Sequence, residues 1–525
     1  MKTYILSVLI LISVATIAQE PYWQQELRYT IYATLNDKDN SITANETIVY
    51  KNNAPSSLDF IWFHLWPNAY KDESTALFQQ IKNDESRSKK LKDPKYGYID
   101  QLAFKVKGVA AKTEAHPKHI DIIKLLLDKP LASGDSITIA TPFHVVLPSY
   151  FSRSGYADGE FMACQWYPKP AVYDKNGWHE MPYLDMGEFY SEYATFNVTL
   201  TVPSDFIVAA TGTLQTKAEL DTYKKTGAAN TVSRSNKPVL YQPATKGGNK
   251  TLSYYAEQVP DFAWFADKDF VIQYDTVQLS SGKVVDAFSY YHNKKKTLWD
   301  NSIDYVKDAT RKYSEWVGEY AYPVVQAVEG PANNSSGGME YPMVTLITSP
   351  DAKVETLDGV IAHEVGHNWF MAILGSNERM HTWMDEGLNS YYHFRYEAEK
   401  YRYNSIFGDA MPKEVRDLPV DKFQETVYTV IDKNLPMESA METPADKFPN
   451  SDEYGLVSYV KTALWLYLLE SSVGREKLDA AMQNYYQQWK FKHPQPEDMQ
   501  KAFEEAIGGN LDQFFKLTKK KGRLE

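Results

Sequence analysis

The sequence predicts an α+β protein in which an all-β domain precedes a mostly helical domain with a small edge sheet. Its 525 residues exceed the ~250 to 300 residues at which one hydrophobic core stops growing, so more than one domain is expected. From about Tyr22 to Phe270, apolar and polar residues alternate between turn residues, which predicts strands. From about Asn293, apolar residues recur at spacings of three and four, which predicts helices.

The composition is that of a globular protein, with 43% hydrophobic and 24% charged residues. The net charge of −12 and the pI near 5.5 disfavour nucleic acid or an anionic membrane as the main partner, because both require clustered Lys and Arg. The single cysteine, Cys164, cannot form an internal disulfide and is predicted to be a buried, inert thiol.

Residues 1–18 are predicted to be a secretory signal peptide. One Lys precedes an apolar run from about Tyr4 to Ile17, and Ala18 stands before a polar segment. The run is shorter than the ~20 residues of a spanning helix, which favours cleavage over an uncleaved anchor. We therefore expect an exported protein, in the periplasm, at the cell envelope or secreted, whose mature chain lacks a transmembrane segment. The predicted boundaries are 19–270 for the β domain, 271–475 for the main helical domain and 476–525 for its C-terminal helical segment.

The stretch IAHEVGHNWF predicts a metal site. His363 and His367 are four residues apart in a helical window, so both imidazoles project from one face and can share a metal ion. Glu364 lies one step round the helix, where it can act on a water at the metal rather than bind the metal. The alternative is a helix that carries these residues by coincidence, which the scarcity of His, 11 in the chain, disfavours.

A third metal ligand is predicted at Glu386, which eighteen residues separate from His367. We expect Gly375 to provide the break that lets the second helix fold back beside the first. Two His and one Glu form the ligand set of catalytic zinc peptidases, so we predict one Zn²⁺ per chain, with Glu364 as general base for hydrolysis. Asp385 is a candidate for orienting a ligand, and His381 is interpreted as a loop histidine close to the ligands.

The motifs HEVGH, WMDEG and GGMEY resemble those of the gluzincin aminopeptidase family, which includes aminopeptidase N and leukotriene hydrolase. The resemblance covers most of the chain. It implies a β-saddle domain, because ITANETIVYKNNAPSSLDFIWFHLWPNAY is similar to part of that domain, followed by a thermolysin-like catalytic domain. Full-length members carry further C-terminal domains, so we expect a short-form member or a truncated chain.

The same resemblance implies roles for further residues. Glu340 would bind the free α-ammonium of a substrate, and the backbone beside it would pair with the peptide as an added strand. Tyr459 lies in VSYVKTALW, at the place of the tyrosine that donates to the oxyanion. A second amine-binding residue is expected from the β domain, with Glu160 and Gln165 as candidates. The predicted substrate-binding stretch consists of Gly337, Gly338, Met339 and Glu340.

The predicted function is that of a zinc aminopeptidase, which releases N-terminal residues from peptides. Tyr341 stands where the family usually has Asn, so an endopeptidase with the same metal site is an alternative. An epoxide hydrolase, as in one branch of the family, is another. A catalytically weak member used as a binding scaffold is the third alternative, and it is disfavoured because both His ligands, Glu364 and Glu386 are all present.

Overall fold

The computed structural model describes residues 22–89, 91, 94–234, 237–243, 247–294, 297–332, 337–348 and 353–524. The predicted signal peptide lies outside these residues. Within them, no helix is both long and apolar enough to cross a membrane. The predicted order, a β-rich domain followed by a mostly helical domain with its own small sheet, is confirmed.

Buried and more exposed residues alternate along the strands of the N-terminal domain. In the first strand Leu27, Tyr29 and Ile31 are buried while the residues between them are more exposed, as expected for a sheet with one face on a core. The strands are β1 (Glu26–Asn36), β2 (Ser41–Lys51), β3 (Leu58–His64), β4 (Tyr98–Asp100), β5 (Lys105–Val106), β6 (Val109–Ala110), β7 (Thr113–Ala115), β8 (Ile122–Leu131), β9 (Ser136–Val146), β10 (Gly155–Ala157), β11 (Glu160–Ala163), β12 (Lys169–Pro170), β13 (Tyr173–Asp174), β14 (Gly177–Trp178), β15 (Ala194–Pro203), β16 (Ile207–Ala210), β17 (Thr213–Leu214), β18 (Asn249–Val259) and β19 (Trp264–Asp267).

These strands form several sheets. The largest runs in the order β17-β18-β15-β1-β2-β9-β5-β6, with β1 parallel to β15 and antiparallel to β2. A second sheet has the order β12-β3-β8-β7, and a third β10-β11-β19-β16. The third sheet packs toward the helical domain. The N-terminal domain also contains the helices α1 (Ala76–Asn83), α2 (Glu85–Ser88) and α3 (Lys217–Ser233).

The helical domain begins with a mixed sheet in the order β20-β21-β22-β24-β23. Strand β21 is parallel to β22, and β22 to β24, whereas the short β23 is antiparallel to β24. The strands are β20 (Phe270–Gln278), β21 (Val284–His292), β22 (Val324–Glu329), β23 (Gly338–Met339) and β24 (Val344–Ile347). The predicted GGMEY stretch therefore lies at the sheet edge.

Helices pack against this sheet and against each other. They are α4 (Ser302–Trp316), α5 (Val354–Phe370), α6 (Glu386–Tyr401), α7 (Lys413–Arg416), α8 (Val420–Asn434), α9 (Ser451–Gly455), α10 (Thr462–Val473), α11 (Arg475–Trp489), α12 (Pro496–Ile507) and α13 (Asp512–Leu517). A π-helical turn, Leu456–Lys461, joins α9 to α10.

Close contact between α5 and α6 depends on glycine. A Cβ atom on Gly366 would lie 2.1 Å from Asn389 Oδ1 and 2.5 Å from the Tyr313 ring, so a larger residue would force α4, α5 and α6 apart. The break between α5 and α6 is earlier than predicted. Helix α5 ends at Phe370, and Gly375 lies in the connection, where its N–H donates to the Lys492 carbonyl.

Candidate active site

The predicted metal ligands come together at the start of α6. His363 and His367 on α5 have Nε2 atoms 3.1 Å apart. Glu386 Oε2 is 3.5 Å from His363 Nε2 and 3.3 Å from His367 Nε2. Ligands bound at about 2.0 to 2.1 Å in tetrahedral geometry lie about 3.3 to 3.4 Å apart. The spacing of the three ligand atoms therefore suits one zinc-sized ion.

The hydrogen bonding of Glu386 supports this fit. Its Oε2 atom is buried and, among the residues that the structure describes, has no hydrogen-bond partner. A buried carboxylate oxygen without a donor is costly unless a cation satisfies it. Two imidazoles and one carboxylate are also the donor set of catalytic zinc. The residues present therefore fit Zn²⁺.

Asp385 lies behind one of these ligands. Its Oδ1 atom is 2.7 Å from His367 Nδ1, and both side chains are buried. A carboxylate on Nδ1 fixes the tautomer that leaves the Nε2 lone pair for a metal. Glu378, which no sequence motif marks, lies against Asp385 in turn; burial and the Asp385 charge raise the pKa of Glu378 well above its ordinary value. A protonated Glu378 can donate to Asp385 and hold it in place.

The other residue predicted near the ligands belongs to a different network. His381 Nδ1 lies 2.7 Å from Glu442 Oε2, and the Trp383 indole N–H donates to the other oxygen of Glu442. These contacts fix the segment between α5 and α6. His381 therefore anchors a loop.

Glu364 lies between the ligand cluster and the edge strand β23. A Cβ atom on Gly338 would be 2.5 Å from Glu364 Oε1 and 2.6 Å from its Cγ and Cδ atoms, so only glycine leaves room for this carboxylate. Burial, with a smaller contribution from Glu386, raises the pKa of Glu364 to about 8, against the opposing effect of His367. The carboxyl is buried, and its Oε2 atom has no hydrogen-bond partner among the described residues. This oxygen therefore lacks the polar partner that a buried carboxylate needs.

The predicted substrate-binding stretch is an edge of the sheet. The Gly337 carbonyl accepts from Thr348 N–H at 2.9 Å, and Gly338 and Met339 pair with β24. Strand β23 stands last in the strand order of this sheet, as far as the described residues show it.

Glu340, directly after β23, lines a small cavity with Gln165, Glu188 and Asp261. The two other carboxylates are paired: Arg153 Nε donates to Glu188 Oε2 at 2.8 Å, and Lys169 Nζ lies 2.9 Å from Asp261 Oδ1. Glu340 has no ion pair within the described residues. Burial, followed by the charge of Glu188, raises the pKa of Glu340 well above its ordinary value.

The structure brings only one of the two candidates from the β domain to this cavity. Gln165 follows β11 with a φ of 47°, a left-handed conformation that few residues without a functional or structural reason adopt. Its Oε1 atom accepts from the Tyr341 hydroxyl at 3.3 Å. Glu160, at the opposite end of β11, lies in a separate cluster 3.9 Å from His292. Tyr341 thereby links the GGMEY stretch to the N-terminal domain.

Tyr459 reaches the metal ligands from the π-helical turn. Its hydroxyl donates to Glu386 Oε1 at 2.5 Å, and its ring lies over the His363 ring with centroids 6.0 Å apart. A π turn inserts an extra residue into a helix and is frequent at functional sites. The Tyr459 hydroxyl therefore contacts the cluster of proposed metal ligands.

Sequence reasoning missed Glu188, Arg153 and Glu378. Glu188 and Arg153 lie in segments of low regularity before β15, and Glu378 lies in the connection between α5 and α6. None belongs to a motif with fixed spacing. Glu378 and its neighbour Arg379 are both buried, which the sequence letters SNER do not reveal.

Fold and site together define the class of the gluzincin zinc metallopeptidases: a β-rich domain joined to a helical domain whose facing helices carry HExxH and a glutamate ligand. Residues 303–517 match the Peptidase family M1 domain. The helical domain of the chain is thus similar to the peptidase family M1 domain.

Curated relatives match over parts of their length. Leucine aminopeptidase 2 of Yarrowia lipolytica is 29% identical over 170 residues, which cover 31% of this chain and 25% of the relative. Glutamyl aminopeptidase of Bos taurus is 25% identical over 253 residues, which cover 45% of this chain and 25% of the relative. The matched part thus spans about a quarter of these relatives.

Solved structures match over nearly the whole chain. A mutant M1 zinc metallopeptidase from Deinococcus radiodurans bound to a Tyr-Ser-Ala substrate has a TM-score of 0.62 at 14% identity and covers 95% of this chain and 94% of its own. Legionella pneumophila aminopeptidase A in complex with aspartic acid has a TM-score of 0.63 at 14% identity, with 96% of this chain and 50% of its own covered. These matches establish the two-domain fold.

Proposed function

We propose that the protein is a zinc aminopeptidase that holds one Zn²⁺ through His363, His367 and Glu386. The observation that carries this proposal is Glu340, a buried carboxylate without an ion pair among the described residues, beside a complete set of metal ligands. When bound, zinc supplies Lewis-acid polarisation of the scissile carbonyl and acidifies water. The remaining steps belong to residues of the chain.

Glu364 is proposed as general base and then general acid. Its carboxylate lies against Gly338, so a peptide bound next to the GGMEY stretch would pass beside it. Glu364 takes a proton from the attacking water and delivers it to the nitrogen of the leaving amine. Tyr459 donates a hydrogen bond to the developing oxyanion in place of its bond to Glu386. Stabilisation by one such donor contributes about 10² to 10³ in kcat.

Glu340 is proposed to bind the α-ammonium of the substrate. In the cavity that it lines, Glu188 and Asp261 already have Arg153 and Lys169 as partners. A substrate ammonium is then the cation that Glu340 lacks, and a charge-assisted bond in a closed site is strong. This arrangement selects peptides with a free N-terminus. The activity named for several relatives, leucine and glutamyl aminopeptidase, supports the same substrate class.

The decisive experiment compares Glu364→Gln with the wild type. We expect the variant to keep its zinc, because Glu364 is not a ligand, and to lose hydrolysis of aminoacyl reporter substrates, because amide cannot accept the proton. Zinc content by mass spectrometry and kcat/KM on an aminoacyl-coumarin series are the measurements. Retained turnover with full zinc content would contradict the assigned role.

Recognition of the amine is tested separately. Glu340→Gln keeps the shape of the side chain and removes its charge, so KM should rise and kcat should fall for free-amine substrates. Glu257→Gln, an exposed carboxylate in β18, is the matched control. N-acetylated peptides distinguish the endopeptidase alternative, because an enzyme that needs the ammonium cannot cut them well. Efficient cleavage of N-acetylated peptides, unaffected by Glu340→Gln, would favour the endopeptidase.

We also propose export of the mature chain. The support is the signal-like pattern of residues 1–18 alone. Cell fractionation with mass measurement of the N-terminus tests it, and a full-length N-terminus in the cytoplasmic fraction would contradict it.

A further inference from the structure

A second group of potential metal ligands lies where the N-terminal domain meets the sheet of the helical domain. Glu160 opens β11 and Asp267 closes β19, two neighbouring strands of the third N-terminal sheet. His292 closes β21 of the helical domain. One ligand atom from each lies within 4.8 Å of the others. The cluster therefore joins ends of strands from both domains.

The ligand atoms have the spacing of a metal site. His292 Nε2 is 3.9 Å from Glu160 Oε2 and 3.7 Å from Asp267 Oδ2. These separations are too long for direct hydrogen bonds. Two ligands at about 2.0 to 2.2 Å from a common ion lie about 3.3 to 3.6 Å apart at the tetrahedral angle and at most about 4.4 Å apart, so an ion would draw His292 slightly closer to each carboxylate.

Glu160 supplies an independent sign of a missing partner. Its side chain is only 3% exposed, and Glu160 Oε1 has no hydrogen-bond partner among the described residues. A buried carboxylate is costly without a donor or a cation. Burial raises the pKa of Glu160 well above its ordinary value in the absence of such a partner.

The orientation of His292 favours a metal. Glu329 Oε2 lies 3.7 Å from His292 Nδ1, and the same carboxylate accepts from the His292 backbone N–H at 2.8 Å. The Phe270 ring packs against the imidazole with centroids 5.2 Å apart. These contacts hold the imidazole with Nε2 toward Glu160 and Asp267.

The charges balance for a divalent ion. Among the residues that the structure describes, Lys294 is the lysine that pairs with one of the three carboxylates of Glu160, Asp267 and Glu329; its Nζ is 2.8 Å from Glu329. Protonation of His292 leaves the group with one net negative charge. A divalent cation with neutral His292 brings it to zero. Without a metal, and against the opposing effect of burial, Asp267, Glu329 and Glu160 raise the pKa of His292 to about 10, so a protonated imidazole is the competing cation.

We propose that Glu160, Asp267 and His292 form a second divalent-cation site, separate from the catalytic ligands, that clamps the two domains together. One nitrogen and carboxylate oxygens suit a transition-metal ion such as Zn²⁺ or Mn²⁺. The site lies at the end of β22, whose Glu329 pairs with Ile347 while Ile347 also pairs with Gly338. Occupancy would therefore stabilise the sheet that carries the GGMEY edge.

The test counts metal ions in the full-length chain. Protein stripped with a chelator is reloaded with Zn²⁺ or with Mn²⁺, passed through gel filtration and analysed by plasma mass spectrometry. We expect two equivalents for the wild type, one for Glu160→Gln, one for Asp267→Asn and one for His367→Ala. Asp275→Asn, which removes a half-exposed carboxylate from the neighbouring β20, is the matched control and should keep both equivalents.

The remaining catalytic equivalent in Glu160→Gln and Asp267→Asn shows that those variants are folded. The melting temperature of the wild type should rise on addition of the second equivalent, and that of Glu160→Gln should not. A further variant, Glu329→Gln, should weaken the affinity for the second metal ion by about 10- to 100-fold, because this is the usual effect of removing a group that holds a metal ligand in place. The proposal is overturned if the wild type holds one equivalent that His367→Ala abolishes, or if Glu160→Gln binds as much metal as the wild type. The second result would identify the cluster as carboxylates bridged by protonated His292.

Discussion

Replacing Gly338 with Ala tests the contact between the edge strand and Glu364. The added Cβ would lie 2.5 to 2.6 Å from three atoms of the Glu364 side chain. Ordinary contact needs about 3.5 Å, so Glu364 must move by about 1 Å. Because a misplacement of about 1 Å can cost ~10²-fold in rate, we expect kcat/KM to fall by about two orders of magnitude. Glu364 is not a ligand, so the metal content should stay unchanged.

The assay is kcat/KM on an aminoacyl-coumarin substrate together with zinc analysis. Gly330→Ala is the control, because the nearest described atoms to its Cβ would belong to the Leu346 side chain in the same sheet, the first at 2.6 Å. Glu364→Asp provides a second check: the shorter side chain leaves room, so Gly338→Ala should cost less in that background. The reasoning is refuted if Gly338→Ala keeps more than half of the wild-type kcat/KM, or if Gly330→Ala loses as much.

Other predictions concern the ligands, the oxyanion and stability. Asp385→Asn should weaken metal binding by about 10- to 100-fold, measured by competition with a chelating dye; unchanged affinity would contradict the contact with His367. Tyr459→Phe should lower kcat by about 10² to 10³ with metal content preserved, and a change in KM alone would argue against an oxyanion role. Burial raises the pKa of Asp121 to about 6 from 3.8. The stability that the protonated Asp121 carboxyl contributes is therefore fully present below about pH 4 and is lost as the pH rises through 6. Relative to Asp121→Asn, the wild type should lose about 3 kcal/mol over that window, and parallel urea-denaturation profiles would contradict this.

The clustering of the three proposed metal ligands could be predicted because their geometry is local. His363 and His367 are one helical turn apart, and Glu386 begins the next long helix, so spacing alone brings them close. The contact of Gly338 with Glu364 could not be predicted in this way, because it depends on how β23 packs against α5. The sequence suggested instead that the glycines serve the approach of a substrate.

The sequence also could not decide whether Glu160 or Gln165 lies in the cavity beside Glu340. Both flank β11, but the left-handed backbone at Gln165 turns that residue toward Tyr341, whereas Glu160 is directed to His292. Similarly, Gly375 looked like a helix terminator, yet α5 ends at Phe370 because the N–H groups of Met371 and Ala372 both return to the His367 carbonyl. Backbone conformation and long-range packing decide such cases.

The hydrogen bond between Tyr341 and Gln165 has a consequence for what each of the two proposed sites requires. All three proposed zinc ligands belong to the helical domain, so that domain carries the whole equipment for holding the ion. The cavity around Glu340, in contrast, takes walls from both domains. The proposed ion site and the proposed amine site therefore differ in what they require: the first needs residues of the helical domain alone, and the second is complete only where the two domains meet.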